Sequence, residues 1–331
     1  MEWNPPVVQG GFSIEMEFIT RLSQVRRQYP HPVVAIGIFD GVHRGHQKVL
    51  RQVIRKARAC RGTAVVMTFY PHPLHVLQPA LNVPLITTLS LREKLLADIG
   101  LDVCWLIRFT RGFSRIPPCQ FIEKYIVEKM APHTVIVGDD FRFGKDRLGT
   151  LALFREEGKK YGFHVQTVPI SKGTKKLISS TSIRQYVKDG DFTRASRLLG
   201  RSFAIQGRVV PGDRLGREWG FPTANVFSER QLIPPCGVYI VYVQYAGCLF
   251  PGMAYIGRKP SIRPGAQLNI EVNIFDFKRN IYGEDIIIFF KKKIREEIKF
   301  DSSQALIRQI QCDEIKARCW FQNNHPAPRL I

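Results

Sequence analysis

Two stretches of this 331-residue chain gather residue types that do phosphate chemistry. The first is Gly37-Ile38-Phe39-Asp40-Gly41-Val42-His43-Arg44-Gly45-His46. Its glycines let backbone come close to a ligand, and His43 and His46 can donate hydrogen bonds to phosphate oxygens where charge builds up. The second is Gly212-Asp213-Arg214-Leu215-Gly216-Arg217-Glu218-Trp219-Gly220-Phe221-Pro222-Thr223-Ala224-Asn225. A glycine-punctuated loop of this kind can wrap a polyphosphate through backbone N–H groups. A third feature is Glu271, on the polar side of an alternating segment, where a carboxylate meets either solvent or a substrate hydroxyl. Each has a plain alternative: a glycine-rich turn with surface histidines, a hairpin loop of turn-forming residues, and a solvated strand glutamate.

The elements that must position these residues fall into two patterns. Val33 to Phe39 is a short apolar run, residues 46–60 have a helical pattern, and Thr63 to Phe69 is a second apolar run. Strand end running into helix N-terminus is where open α/β sheets bind phosphates, with free N–H groups and the positive dipole end facing the ligand. Ser90-Leu91-Arg92-Glu93 reads as a capping box opening a helix that Gly100 closes. Val103 to Phe109 and Thr134 to Val137 read as further strands. Strands alternating with helices predict a parallel sheet with right-handed crossovers. After about residue 200 the period changes. Leu268, Ile270, Val272 and Ile274 alternate with Asn269, Glu271 and Asn273, which is the pattern of a half-buried strand. Gly237 to Tyr245 and Asp285 to Phe290 read as strands too, and a late helix begins near Ser302 or Ser303, with Leu306, Ile307, Ile310 and Ala317 on one face. This half predicts an antiparallel β-barrel with a C-terminal helix. The expected domains are residues 1–200 (α/β) and 201–331 (all-β), with a fragment from about Arg201 folding alone.

Composition bounds the class. The chain is 44% hydrophobic and 23% charged, ordinary for a globular protein. No apolar run approaches a membrane span, and Met1 to Phe18, with Glu2, Glu15 and Glu17, lacks the apolar core of a signal peptide. A cytoplasmic enzyme is the expectation. Seven cysteines, none in a Cys-x-x-Cys pair, argue against a disulfide framework or zinc ribbon and read as mostly buried thiols. The net charge of +21 is unusual, but it is spread: residues 1–200 hold 30 basic and 16 acidic residues, residues 201–331 hold 19 and 12. Such a surface attracts anions without choosing among nucleic acid, anionic lipid and nucleotide.

The glycine–histidine stretch, with His-x-Gly-His after Gly-x-Phe-Asp-Gly, resembles the signature of the nucleotidyltransferase superfamily. Ile178-Ser179-Ser180-Thr181-Ser182-Ile183-Arg184 resembles that family's second nucleotide motif, Thr68-Phe69-Tyr70-Pro71-His72-Pro73 and Val137-Gly138-Asp139-Asp140-Phe141-Arg142-Phe143-Gly144 its FMN adenylyltransferase branch, and the Gly212 to Asn225 stretch the riboflavin kinase signature. Together, over about residues 30–320, the chain resembles the bacterial bifunctional riboflavin kinase/FAD synthetase family. The resemblance implies a Rossmann-like nucleotidyltransferase sheet and a riboflavin-kinase-type barrel. It implies that ATP and Mg²⁺ serve both riboflavin phosphorylation to FMN and FMN adenylylation to FAD.

It also implies residue roles. His43 and His46 stabilise phosphate charge, with no side-chain nucleophile, while Ser180, Thr181 and Arg184 hold the ATP phosphates. Gly37, Phe39, Asp40, Gly41 and Asp140 complete that site, and the aromatics of the two FMN segments flank the isoalloxazine ring. In the second domain Gly212, Asp213, Gly216 and Arg217 hold nucleotide, Thr223 and Asn225 bind Mg²⁺ and nucleotide, and Glu271 takes the riboflavin 5′-hydroxyl proton. Arg295-Glu296-Glu297-Ile298-Lys299-Phe300 resembles a family segment leading into a helix that helps cover the flavin. Two positions depart: Asn273 stands where the family usually has His, and Ile256-Gly257-Arg258-Lys259-Pro260-Ser261 replaces Ile-Gly-x-Arg-Pro-Thr. The rival readings are the same fold with another acceptor, such as a pantetheine or glycerol phosphate cytidylyltransferase, and a basic nucleic-acid-binding protein without catalysis. The second domain counts against the first rival. The absence of a basic block counts against the second, so no specific nucleic-acid or membrane partner is expected.

Overall fold

Near-continuous apolar runs bounded by glycine and polar loops build the first half. In the computed structural model, which describes residues 16–21, 25, 29–169, 178–212, 216, 219–258 and 268–324, these runs form a six-stranded, all-parallel sheet. Its strands are β1 (Glu17–Ile19), β2 (Val33–Ile36), β3 (Ala64–Tyr70), β4 (Val103–Arg108), β5 (Thr134–Gly138) and β6 (His164–Val168). Their order is β1-β4-β3-β2-β5-β6, so the chain winds outward in both directions from β2. β2 is buried along its whole length, as a strand covered on both faces should be. Between β2 and β5 the strand order reverses, and that crevice at the carboxyl ends is where such sheets take ligands. Val34, Val65, Val103 and Val135 pack with Trp105, Phe121 and Phe154 into one core.

The short edge strand β1 gave no signal in the sequence: three residues, of which only Ile19 is buried, cannot show a period. The helix expected to open at Ser90 runs from Leu89 to Ile99, so Ser90 lies inside its first turn. Gly100 closes it in a left-handed conformation, φ +96°. The thiols are a correction. Only Cys104 is buried; Cys119, Cys312 and Cys319 are exposed, the last two on the C-terminal helix. Burial pushes the Cys104 thiol up to about 12.

The second half closes into a six-stranded antiparallel barrel in the order β10-β11-β8-β7-β12-β9. Its strands are β7 (Ala204–Val210), β8 (Ala224–Phe227), β9 (Gly237–Tyr245), β10 (Cys248–Arg258), β11 (Leu268–Ile274) and β12 (Asp285–Arg295). β11 shows the expected alternation: Ile270, Val272 and Ile274 are buried, while Asn269, Glu271 and Asn273 are half-buried on its other side. A helix from Ser303 to Asn323, capped by the Ser302 hydroxyl accepting from the Ala305 N–H, covers the outer side. There Ala317 packs with Val238, Ile240, Met253 and Phe275.

The barrel's core reaches back past residue 200. Ile183, Val187, Phe192, Ala195 and Leu199, on helices Ser180–Lys188 and Phe192–Leu199, belong to it. So does Ile86: the segment Leu85–Thr88 groups with the barrel unit, and Gln231 donates to the carbonyls of Ile86 (3.0 Å) and Ala204 (2.8 Å).

Candidate active sites

Backbone strain shapes the first site. After β2 the chain turns through Phe39 (φ +52°), Gly41 (φ +81°) and Val42 (φ +39°) before the helix Arg44–Ala59 begins. Left-handed backbone at two non-glycine residues persists only where the surroundings enforce it, and the tethers are visible. The Thr68 hydroxyl donates to the Ile38 carbonyl (3.0 Å), and so does buried Arg92 (2.9 Å), whose guanidinium also reaches the Phe69 carbonyl (3.3 Å). Burial lowers the Arg92 pKa, and the charge of Asp40 opposes that shift. The Gln47 amide holds the Val42 carbonyl at 2.9 Å.

His43 caps the helix: its Nδ1 accepts from the His46 N–H (3.3 Å), and the two rings stack with centroids 3.6 Å apart. Phe39 meets the His46 ring edge-on at 5.2 Å. The pair thus stands at a helix N-terminus, where the dipole favours an anion. The Ser180 hydroxyl donates to the Asp40 carbonyl (3.1 Å) across 140 residues of sequence, and Thr181 and Arg184 follow it on the same helix. Asp140 is exposed just past β5, next to Asp139, whose N–H bonds the Val168 carbonyl. Gly37 follows β2 directly, and a Cβ there would sit 3.1 Å from the Phe39 ring. The aromatics of the two flanking segments divide. Phe143 is buried against Phe121 and Phe154, Phe69 sits in a cluster with Phe109 and Phe113, Phe141 is half-buried, and Tyr70 is exposed.

The second site is built on strand register. Glu271 pairs directly across from Asn225 on β8 and from Tyr255 on β10. Its Oε2 accepts from the Thr223 hydroxyl (3.4 Å) and its Oε1 from the Asn269 amide (2.6 Å). Asn273 donates to the Pro222 carbonyl at 2.8 Å, holding the residue before Thr223. Thr223, Asn225, Glu271 and Asn273 line a cavity of about 870 Å³ whose walls also include Trp219, Met253, Tyr255, Ile298, Phe300 and Ile310. Gly212 lies against Asn225 so closely that an added Cβ would fall 2.0 Å from its amide. Gly216 accepts from the Phe221 N–H (2.7 Å), closing the loop before Thr223. Asp213 and Arg217, named from the sequence, lie outside the described residues, as do Lys259 and Ser261.

The cavity's far wall is the segment after β12. The Tyr255 hydroxyl donates to Glu297 Oε1 (2.5 Å), and burial, with that carboxylate and Glu271 nearby, pushes the phenol up. Arg295 pairs with buried Asp313 of the C-terminal helix (2.7 Å). Asp276, the other carboxylate near β11, is taken by Arg318 (3.0 and 3.1 Å), which holds it below its usual range. Sequence reasoning missed Arg92, Gln47 and Asn269. The two buried polar residues carried no signal on helical segments, whereas the polar face of β11 already contained Asn269.

Comparisons with known proteins fit both halves. A family model described as FAD synthetase matches residues 26–182, and one described as riboflavin kinase matches residues 199–321. The chain is 39% identical over 296 residues to a protein of Escherichia coli strain K12 described as bifunctional riboflavin kinase/FMN adenylyltransferase, covering 89% of this chain and 94% of that one. It is 38% identical over 307 residues to one of Bacillus subtilis strain 168 with the same description, covering 90% and 95%. A solved Streptococcus pneumoniae structure described as a macrolide-efflux protein matches with a TM-score of 0.80 at 33% identity, over 92% of this chain and 99% of that one. Efflux is said of that protein alone. Among the described residues here, no helix is long and apolar enough to cross a membrane.

Proposed function

The chain belongs to the family of bifunctional riboflavin kinases/FMN adenylyltransferases, and from that premise we propose how its residues divide the two reactions. It phosphorylates riboflavin with ATP to give FMN, and adenylylates FMN with ATP to give FAD, releasing pyrophosphate.

In the proposal the barrel carries the kinase step. Glu271 takes the proton of the riboflavin 5′-hydroxyl as that oxygen attacks the γ-phosphorus and ADP departs. Gly212, Asp213, Gly216 and Arg217 hold the nucleotide, and the cavity beside Glu271 takes the flavin. The oxygens of Thr223 and Asn225 suit Mg²⁺, a hard ion that keeps waters and borrows phosphate oxygens rather than needing a protein cage. When bound, Mg²⁺ neutralises and orients the phosphates. The protein's part is positioning.

The sheet carries the adenylyl step. A phosphate oxygen of FMN attacks the α-phosphorus and pyrophosphate leaves, with no side-chain nucleophile. His43 and His46 donate to the charge that grows there, and the helix N-terminus adds its dipole. Ser180, Thr181 and Arg184 hold the triphosphate, and Gly37, Phe39, Asp40, Gly41 and Asp140 shape the nucleotide pocket. Both steps use ATP, and the proposal places them in the cytoplasm.

The observation that carries the residue assignment is the meeting of Thr223, Asn225 and Glu271 at the rim of a cavity of about 870 Å³, a size that suits a flavin. Incubating the pure chain with riboflavin, ATP and Mg²⁺ and separating the flavins tests it. FMN should accumulate, then FAD, and neither should form under EDTA. A folded protein that leaves riboflavin unmodified, or that works equally well without divalent metal, would overturn the reading.

A further inference from the structure

We propose that Asn269 is a positioning residue of the kinase site, holding the Glu271 carboxylate in one orientation and linking it to Asn225. This rests on the reading of Glu271 as the general base and deepens it.

Strand geometry puts Asn269 in reach. Side chains two apart on a strand share a face, so Asn269, Glu271 and Asn273 line one side of β11. Asn225 is the direct cross-strand partner of Glu271, which makes Asn269 its diagonal neighbour, a separation that longer side chains span. One amide nitrogen carries two hydrogens, and here it meets two acceptors: Glu271 Oε1 at 2.6 Å and Asn225 Oδ1 at 3.4 Å. Thr223 meets the other carboxylate oxygen, Oε2, at 3.4 Å. The carboxylate is therefore held at Oε1 from within the strand, and Oε2 is the oxygen presented on the Thr223 side, where the cavity opens.

Strand formation does not explain the residue. Asparagine is depleted in strands, and an apolar or β-branched residue would serve β11 better. An amide at 269 fits a different need. A carboxylate that accepts a proton must keep its angle to the hydroxyl, and it is the hydrogen-bonded charged form that is favoured before the reaction. The short Nδ2–Oε1 contact is of the charge-assisted kind, which is stronger than a neutral bond.

The test uses the full chain and measures kcat and KM for riboflavin phosphorylation, with FMN adenylylation as an internal control on folding. Asn269→Asp keeps the shape but replaces the donor by a like charge beside Glu271. A hydrogen bond to a charged group sets the scale: kcat should fall about 10-fold to 10²-fold. Because the carboxylate loses the donor that fixes its angle, the loss should fall on kcat, the step in which the proton is taken. The KM for riboflavin should stay within about twofold, since the ring is bound elsewhere. Should the aspartate variant fail to fold, Asn269→Ala removes the donor without adding charge and reads the same split between kcat and KM. In a Glu271→Gln background the Asn269 effect should disappear, because there is no base left to hold. If Glu271→Gln collapses phosphorylation while Asn269→Asp keeps the wild-type kcat, the proposal fails and the base assignment stands. If Glu271→Gln itself loses less than about tenfold, below the range for general-base catalysis, both fall.

Discussion

In the proposed reading the two sites solve one problem, holding ATP beside a flavin, with different materials. In the sheet the site is made of loop backbone: left-handed residues Phe39, Gly41 and Val42, beside the Ile38 carbonyl that Thr68 and Arg92 hold, lead into the helix end that carries two histidines. In the barrel it is made of strand faces: Glu271, Asn225 and Tyr255 meet because three strands share a register. A loop site is fixed by conformations of neighbouring residues. A register site is fixed by pairing across distant segments, where a slip of one residue would turn Glu271 inward. The sheet site should therefore suffer most from loss of individual donors, and the barrel site from anything that disturbs its pairing or its base.

The largest expected effect tests whether the barrel stands alone. A fragment beginning at Thr181 keeps Ile183, Val187, Phe192, Ala195 and Leu199; one beginning at Arg201 loses all five from the core. Single large-to-small changes of Ile, Leu or Phe cost about 2–5 kcal/mol, against a net stability of about 5–15 kcal/mol. The longer fragment is expected to make FMN with a cooperative thermal transition, and the shorter one to melt far lower or not fold. Equal melting temperatures would show that the two helices are dispensable to the barrel.

Next comes the base. Glu271→Gln should lower riboflavin phosphorylation by about 10² to 10⁴ and leave adenylylation of supplied FMN near wild type, as separate rate assays would read. A matching fall in both rates would erase the distinction between the sites. On the other side of the comparison, His46→Ala should slow FMN adenylylation by about 10² to 10³, the usual cost of losing one donor to developing charge, while FMN still forms from riboflavin. Unchanged FAD synthesis would return His46 to a turn residue stacked on His43.

The smallest effect sharpens the register argument. In Gly212→Ala the new Cβ would fall 2.0 Å from the Asn225 amide, the movable end of a side chain, so the amide must shift away from Asn269. One displaced neutral hydrogen bond is worth about 1 kcal/mol, so phosphorylation should fall about fivefold to tenfold, with more Mg²⁺ needed for half-maximal rate. Adenylylation measured on the same sample should not change.

The chain's linear order was enough to separate a parallel sheet from an antiparallel barrel and to put β9 and β11 at their observed limits. It was enough because glycine spacing, capping and hydrophobic period are local properties, written in adjacent residues. Three-dimensional packing decided the rest. β1 has no period of its own and exists through its pairing with β4. Phe143 carries the same letter in a flavin wall or a core, and only its neighbours Phe121 and Phe154 make it core. Asp276 and Glu271 are both carboxylates near β11, and only packing shows that Arg318 holds the first while Thr223 and Asn269 meet the second. The contacts joining Ser180 to Asp40 and Ile86 to Gln231 span 140 and 145 residues. No local pattern encodes such pairs, because their stability comes from groups that folding alone brings within a hydrogen bond's length.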